Sequence, residues 1–182
     1  MELVINEDNL KISDVEDCSI KVRAILLDEN NQMLVANYGN VILLPGGKLD
    51  EGELIDAAII RELREETGQD YNEEELEFLG TINHYQKNYP KRNGTFQNRL
   101  VQTHYFIGKY KYIKKDKQKL TEKEQNGNFR LELVSLDNLE NIILSNKNVN
   151  PRHIYFQQEL LSILKVYKKI NRDIIVKKLE LK

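Results

Sequence analysis

Apolar residues recur along this chain with two different periods, and the changes of period divide it into elements. From Val22 to Leu27 (VRAILL) and from Met33 to Val35 aliphatic residues run almost unbroken. The turn-forming stretch Asp28-Glu-Asn-Asn31 lies between them, which predicts two strands with a tight connection. Val41 to Leu44 predicts a third, short strand that stops at Pro45-Gly46-Gly47. From Leu54 to Thr67 the apolar spacing becomes helical, and Gly68 is a suitable C-terminal stop. Leu76 to His84 predicts a strand. Leu100 to Tyr112, rich in Val, Thr, Tyr, Phe and Ile, predicts a long one, and the alternation from Phe129 to Leu136 predicts another. Leu136 to Leu144 reads as a short helix with Ser135 or Asp137 as its cap. His153 to Ile170 carries Ile154, Leu160, Leu161, Leu164 and Tyr167 at helical spacing after Pro151. No internal repeat is visible. The order of strands, helix, strands, helix predicts a mixed α/β fold.

Length and composition narrow the picture. A chain of 182 residues can bury one sizeable core, so a single domain over 1–182 is expected, with its core at about 18–170 and an extension at each end. The charged fraction of 31% is ordinary for a soluble protein, and a net charge of -2 argues against a general nucleic-acid binder. A single cysteine, Cys18, cannot form an internal disulfide, which fits a reducing cytoplasm. The first residues lack the basic start and apolar run of a signal peptide, and no stretch is apolar for long enough to span a membrane.

The stretch Arg61-Glu-Leu-Arg-Glu-Glu-Thr-Gly68 holds three glutamates within little more than one helical turn. At roughly 100° per residue, Glu66 lies about 40° from Glu62, and Glu65 about 60° from it on the other side. The three share one face with Ala58 and Ile55, while Ile59 and Leu63 point toward a neighbouring, core-facing stripe. Like charges at this spacing repel, so the helix gains nothing from them. A solvated face neutralised by Arg61 and Arg64 is one reading. A site for a hard cation is the other, since magnesium and manganese favour carboxylate oxygens together with water and substrate phosphate.

The flanking residues bear on that choice. Gly47, five residues, Glu53, seven residues, then Arg61-Glu62-Leu63-Arg64-Glu65-Glu66-Thr67-Gly68 resembles the signature box of the Nudix hydrolases. One position departs: Gln69 stands where the family prefers an aliphatic residue. The resemblance implies an α/β/α sandwich with a mixed sheet and a catalytic loop-helix. It implies divalent-metal-dependent hydrolysis of the diphosphate in a nucleoside diphosphate derivative, a small-molecule substrate, with Mg²⁺ or Mn²⁺ as cofactor. It implies Glu62, Glu65 and Glu66 as metal ligands, one of which or another acid would serve as general base. It further implies Gly47 as the point where backbone approaches the metal, Arg61 as the residue that orients its neighbouring glutamate, and Glu53 as a ligand or a brace for the loop.

Substrate choice lies outside the box. In some Nudix groups a residue about sixteen positions downstream is diagnostic, a proline in ADP-ribose hydrolases and a tyrosine in dinucleoside polyphosphate hydrolases; here it is Tyr85. The segment from Tyr85 to Gly94 combines Tyr85 and Tyr89 with Lys87, Lys91 and Arg92, which predicts a substrate loop: rings for a base, cations for phosphates. A solvated hairpin tip is the alternative. Lys109 to Lys123 holds seven lysines, which would suit an RNA 5′ end, and Glu122 and Glu124 are candidate extra acids. Three functional readings are therefore carried: a small-molecule diphosphate hydrolase, an RNA 5′-end pyrophosphohydrolase, and a non-catalytic nucleotide-binding regulator. A homodimer is compatible with each.

Overall fold

In a computed structural model, residues 1–38, 41–91, 93–145 and 151–180 are described, with backbone alone for residues 151 and 172–180. The elements in chain order are β1 (Glu2–Ile5), β2 (Asp17–Leu27), β3 (Gln32–Tyr38), β4 (Val41–Leu43), α1 (Ile55–Thr67), β5 (Leu76–Pro90), β6 (Phe96–Lys109), α2 (Glu122–Asn126), β7 (Arg130–Ser135), α3 (Leu136–Ser145) and α4 (Pro151–Glu180). The strands form one sheet in the order β1-β5-β6-β2-β3-β4, and β7 also pairs with β3. The β1–β5 and β2–β6 pairs are parallel and the others antiparallel, so the sheet is mixed.

Local chemistry explains most of these boundaries. Asp28 closes the β2–β3 connection by accepting at Oδ1 from the amides of Asn30 (2.9 Å) and Gln32 (2.7 Å). Strand β2 begins five residues earlier than its aliphatic run, because its whole length pairs with β6, from Asp17 opposite Arg99 to Leu27 opposite Lys109. The stretch expected as a substrate loop is mostly strand: β5 continues through Pro90, and only residues 91–95 join it to β6. A register shift between Gln86 and Tyr89 absorbs the irregularity there. Neither β1 nor α2 is predicted by the pattern; β1 has only four residues, and α2 is a single turn closed by a Thr121–Glu124 capping box.

The two faces of the sheet carry separate cores. On one, Val22, Ala24, Leu26, Leu34 and Phe106 pack against Ala58, Ile59 and Leu63 of α1. On the other, Ile25, Met33, Val35 and Ile82 pack against Leu139 and Ile143 of α3 and Leu160, Ile163 and Leu164 of α4. Full burial of each such aliphatic side chain stabilises by about 2 kcal/mol. One helix on one face and two on the other make the expected α/β/α sandwich. Among the described residues no helix is long and apolar enough to cross a membrane.

Candidate active site

Helix α1 turns Ala58, Ile59, Glu62, Leu63, Glu66 and Thr67 inward. Two of those six are acidic, and they meet the Pro45-Gly46-Gly47 turn that follows β4. The Gly46 amide donates to Glu66 Oε2 at 2.8 Å. The turn itself is docked on β2, with the amides of Val22 and Ala24 donating to the carbonyls of Gly47 (3.0 Å) and Pro45 (2.9 Å). A methyl group at Gly47 would overlap the Glu62 carboxylate, and one at Gly46, whose φ is +126°, would overlap the Val22 carbonyl oxygen. Both glycines are therefore required by close approach, one to a carboxylate and one to backbone.

Arg61 organises the solvent side of the cluster. Its guanidinium grips Glu53 with two 2.8 Å hydrogen bonds and reaches Glu62 at 2.9 Å, Glu65 at 3.4 Å and the Lys48 carbonyl at 3.2 Å. The hydrogen bonds to Glu53 are the main reason the arginine is held more firmly protonated than usual, and they keep the Glu53 carboxyl below the ordinary range. On the sheet side, Arg23 of β2 donates from Nη1 to the carbonyls of Leu44, at 2.7 Å, and Gly46.

Burial works against the two inward carboxylates. Glu62 is 9% exposed and Glu66 3%. Desolvation raises the pKa of Glu62 and pushes that of Glu66 up to about 8, despite the nearby Arg23 and the Gly46 amide. Arg61 occupies oxygens of Glu62 and Glu65 and the Gly46 amide one of Glu66, and among the described residues no three metal-ligating side chains converge as a finished cage. The donor set nonetheless fits a hard divalent cation. It is all oxygen, two of its acids are buried beside each other without full compensation, and a glycine leaves clear the space in front of Glu62.

A further acid approaches from the segment after β6. The amides of Lys114 and Lys119 donate to the carbonyls of Thr67 (2.9 Å) and Glu65 (2.8 Å), and the Gln118 side-chain amide donates to the Glu66 carbonyl. This lays residues 114–119 across the end of α1. It brings Glu124 close enough for its charge to contribute to the raised pKa of Glu66. Glu122 stays exposed.

The other predicted contacts divide between the two faces. His84 packs toward α4, edge-on to Tyr155 at 5.5 Å between ring centroids, so its neighbour Tyr85 points to the opposite face. Tyr89 lies on the α4 side, where its ring meets Tyr155 and the guanidinium groups of Arg99 (4.9 Å) and Arg152 (5.7 Å). Lys87 lies 3.9 Å from Asp8, Lys91 sits half-buried where β5 ends, and Arg92 lies outside the described residues.

A polar strip beneath α4 is absent from the sequence reading. Lys21 and Arg23 of β2, with Tyr105 of β6, line a small cavity under Phe156 and Glu159. Glu159 accepts from the Tyr105 hydroxyl at 2.6 Å and lies 3.5 Å from His84 Nδ1. Beyond it, the buried Gln86 Oε1 has no hydrogen-bond partner among the described residues. The signal is present in Ser19-Ile-Lys21-Val-Arg23, where polar residues alternate along a strand whose other face is core.

Burial alone would raise the pKa of Glu159, but its hydrogen bond with His84 and the charge of Lys21 outweigh that and hold it down at about 2. Because the folded value lies below the ordinary 4.5, this carboxylate contributes stability above pH 4.5 that is lost as pH falls toward 2. The melting temperature is accordingly expected to drop through that window. In Glu159→Gln the drop should be shallower and start from a lower value at pH 7. Circular dichroism melts at pH 6 and pH 3 check this, and parallel acid profiles for the two proteins would refute it.

Comparison with known proteins agrees with the geometry. A family model described as NUDIX domain matches residues 19–158. No curated protein matches. Among solved structures, the MutT protein from Methanosarcina mazei Go1 superposes with a TM-score of 0.53 at 19% identity, over 85% of this chain and 96% of that one. A NUDIX hydrolase from Nitrosomonas europaea superposes with a TM-score of 0.50 at 23% identity, over 72% and 81%. Nudix hydrolases act on nucleoside diphosphate derivatives and generally use divalent cations. The chain belongs to the Nudix family and is a pyrophosphohydrolase of that type.

Proposed function

We propose that this enzyme hydrolyses the diphosphate linkage of a nucleoside diphosphate derivative at a site made by Glu62, Glu65, Glu66 and the backbone at Gly47, with Mg²⁺ or Mn²⁺ as cofactor. The observation that carries this is the fit of Gly46 and Gly47 against two buried carboxylates that lack full charge compensation. When bound there, a divalent cation offsets the charge of a diphosphate and makes water a better nucleophile.

The chain's own residues supply the rest. Arg61, braced by Glu53, fixes the Glu62 carboxylate. Arg23 ties down the Gly46 turn. Glu65 is the most exposed of the three box acids and is held by Arg61 only at 3.4 Å, which leaves it the most accessible of them to a substrate water and suits it to the role of general base. In the reaction the water oxygen bonds to phosphorus, the bridging P–O bond breaks, and the water's proton passes to the carboxylate. Tyr89, in the α4-side strip with Arg99 and Arg152, is suited to stack on the substrate base, with Lys91, at the end of the same strand, for the outer phosphates. Tyr85 faces the other side of the sheet, so the two tyrosines serve different surfaces.

Hydrolysis in ¹⁸O-water tests the bond cleaved. With Mg²⁺ and a panel of nucleoside diphosphate derivatives, label is expected in a phosphate group of the products. Label in a sugar hydroxyl or acyl product would overturn attack at phosphorus, and no hydrolysis across the panel would overturn the substrate class.

A further inference from the structure

The lysines between Lys109 and Lys123 are not equivalent. Lys109 is neutralised by Glu29 at 3.1 Å and Lys111 by Glu75 at 2.7 Å. Lys115 has no ion-pair partner among the described residues, and neither does Arg130 at the start of β7. These two cations line the same cavity, of about 420 Å³, whose apolar walls are Ile113, Phe129 and Leu131. Gln118 and Glu132 complete it. The cavity is separate from the small one under α4, with which it shares no residue.

Its volume falls in the range that encloses a ligand the size of a nucleotide. Phe129 offers a ring face of the kind on which bases stack. Two cations without an ion-pair partner among the described residues, both lining the cavity, favour an anion, and Glu132, whose Oε1 lies 3.4 Å from the Asn37 amide, adds an acceptor for a hydroxyl or amino group. Gln118 gives the cavity a physical link to the catalytic helix, since its side-chain amide holds the carbonyl of Glu66.

We propose that this cavity is a second ligand site, for a nucleoside monophosphate unit, with the base against Phe129 and the phosphate between Lys115 and Arg130. Such a unit has two sources. It is the far half of a substrate with a nucleoside on each side of the diphosphate, or a free nucleotide that acts on Glu66 through Gln118. The first source rests on the hydrolase reading given above, whereas binding itself does not.

The test is calorimetric titration of the full-length protein with adenosine monophosphate in EDTA, where catalysis is absent. Lys115→Glu with Arg130→Glu should weaken binding at least tenfold. Lys109→Glu with Lys111→Glu, which makes the same charge change at paired lysines, should leave it within twofold. Lys115→Gln with Arg130→Gln, checked for an unchanged melting temperature, guards against misfolding and should also weaken binding. Undiminished binding in the Lys115 and Arg130 variants overturns the site, as does equal weakening in both reversal pairs, which would mean general electrostatics. Steady-state assays then separate the sources. A KM raised in the glutamine pair only for substrates with two nucleosides assigns the far half of the substrate. Unchanged KM values, with loss of a rate response to added adenosine monophosphate, assign an effector. If the protein binds the nucleotide yet hydrolyses nothing, the hydrolase reading fails and the site stands.

Discussion

Replacing Glu65 and Glu66 together by glutamine is expected to lower the hydrolysis rate by about a thousand-fold or more while the protein stays folded. The size of the effect follows from removing two of three box carboxylates, one of them the proposed proton acceptor. The retention of the fold follows from Glu66 itself. Its carboxyl is buried and its pKa is pushed up to about 8, so at neutral pH it favours the proton-bearing form that a glutamine imitates. The glutamine carbonyl can still accept from the Gly46 amide. Thermal unfolding of the cation-free variant should thus occur no lower than that of the parent at pH 7. Turnover at the parental rate would remove these residues from the site. A large fall in melting temperature would mean that Glu66 is a structural group first.

Alanine at Gly46 and at Gly47 should give opposite kinds of failure. At Gly47 the atoms nearest the new methyl all belong to the end of a flexible side chain, the Glu62 carboxylate, which can swing away. The fold should survive, and the rate should fall by about a hundred-fold or more because Glu62 is displaced from its place before Arg61. At Gly46 the methyl overlaps the Val22 carbonyl, which is fixed in the sheet, and the φ of +126° is one that alanine rarely adopts. Strain and overlap together should cost about 3 kcal/mol or more. Melting curves and Mg²⁺-dependent rates on the two variants distinguish these outcomes. Equal loss of stability in both would refute the division of labour between the glycines.

The catalytic helix was legible because its information is local. Glu62, Glu65 and Glu66 share a face through helical geometry alone, and the spacing to Gly47 and Glu53 specifies which loop must meet that face. The strands were legible where apolar residues mark them, from Val22 to Leu27 and from Leu100 onward. Their ends were not, since β2 and β5 extend as far as a partner strand supplies hydrogen bonds, and the partner is distant in sequence. The same holds for the strip under α4. Lys21, Arg23 and Glu159 read individually as surface charges, and only the α4 crossing brings Glu159 over β2. Tyr85 and Tyr89 stand close in sequence, but they lie on a strand rather than in a loop, and strand alternation with a register shift sends their rings to different faces.

The parallel pairing of β2 with β6 also sets an order of events during folding. Asp17 lies opposite Arg99, so about 80 residues must be closed into a loop before the first of these hydrogen bonds forms. The β2–β3 hairpin, the glycine turn docked on β2 and helix α1 are all local and can form early. The strand that carries Arg23 nevertheless keeps an open edge until β6 arrives between β2 and β5. A ribosome that has released the signature helix has therefore not yet released an enzyme. The chain emerges with its acids assembled beside an unpaired, aliphatic strand edge, and burial of that edge is the slow step that non-local pairing imposes.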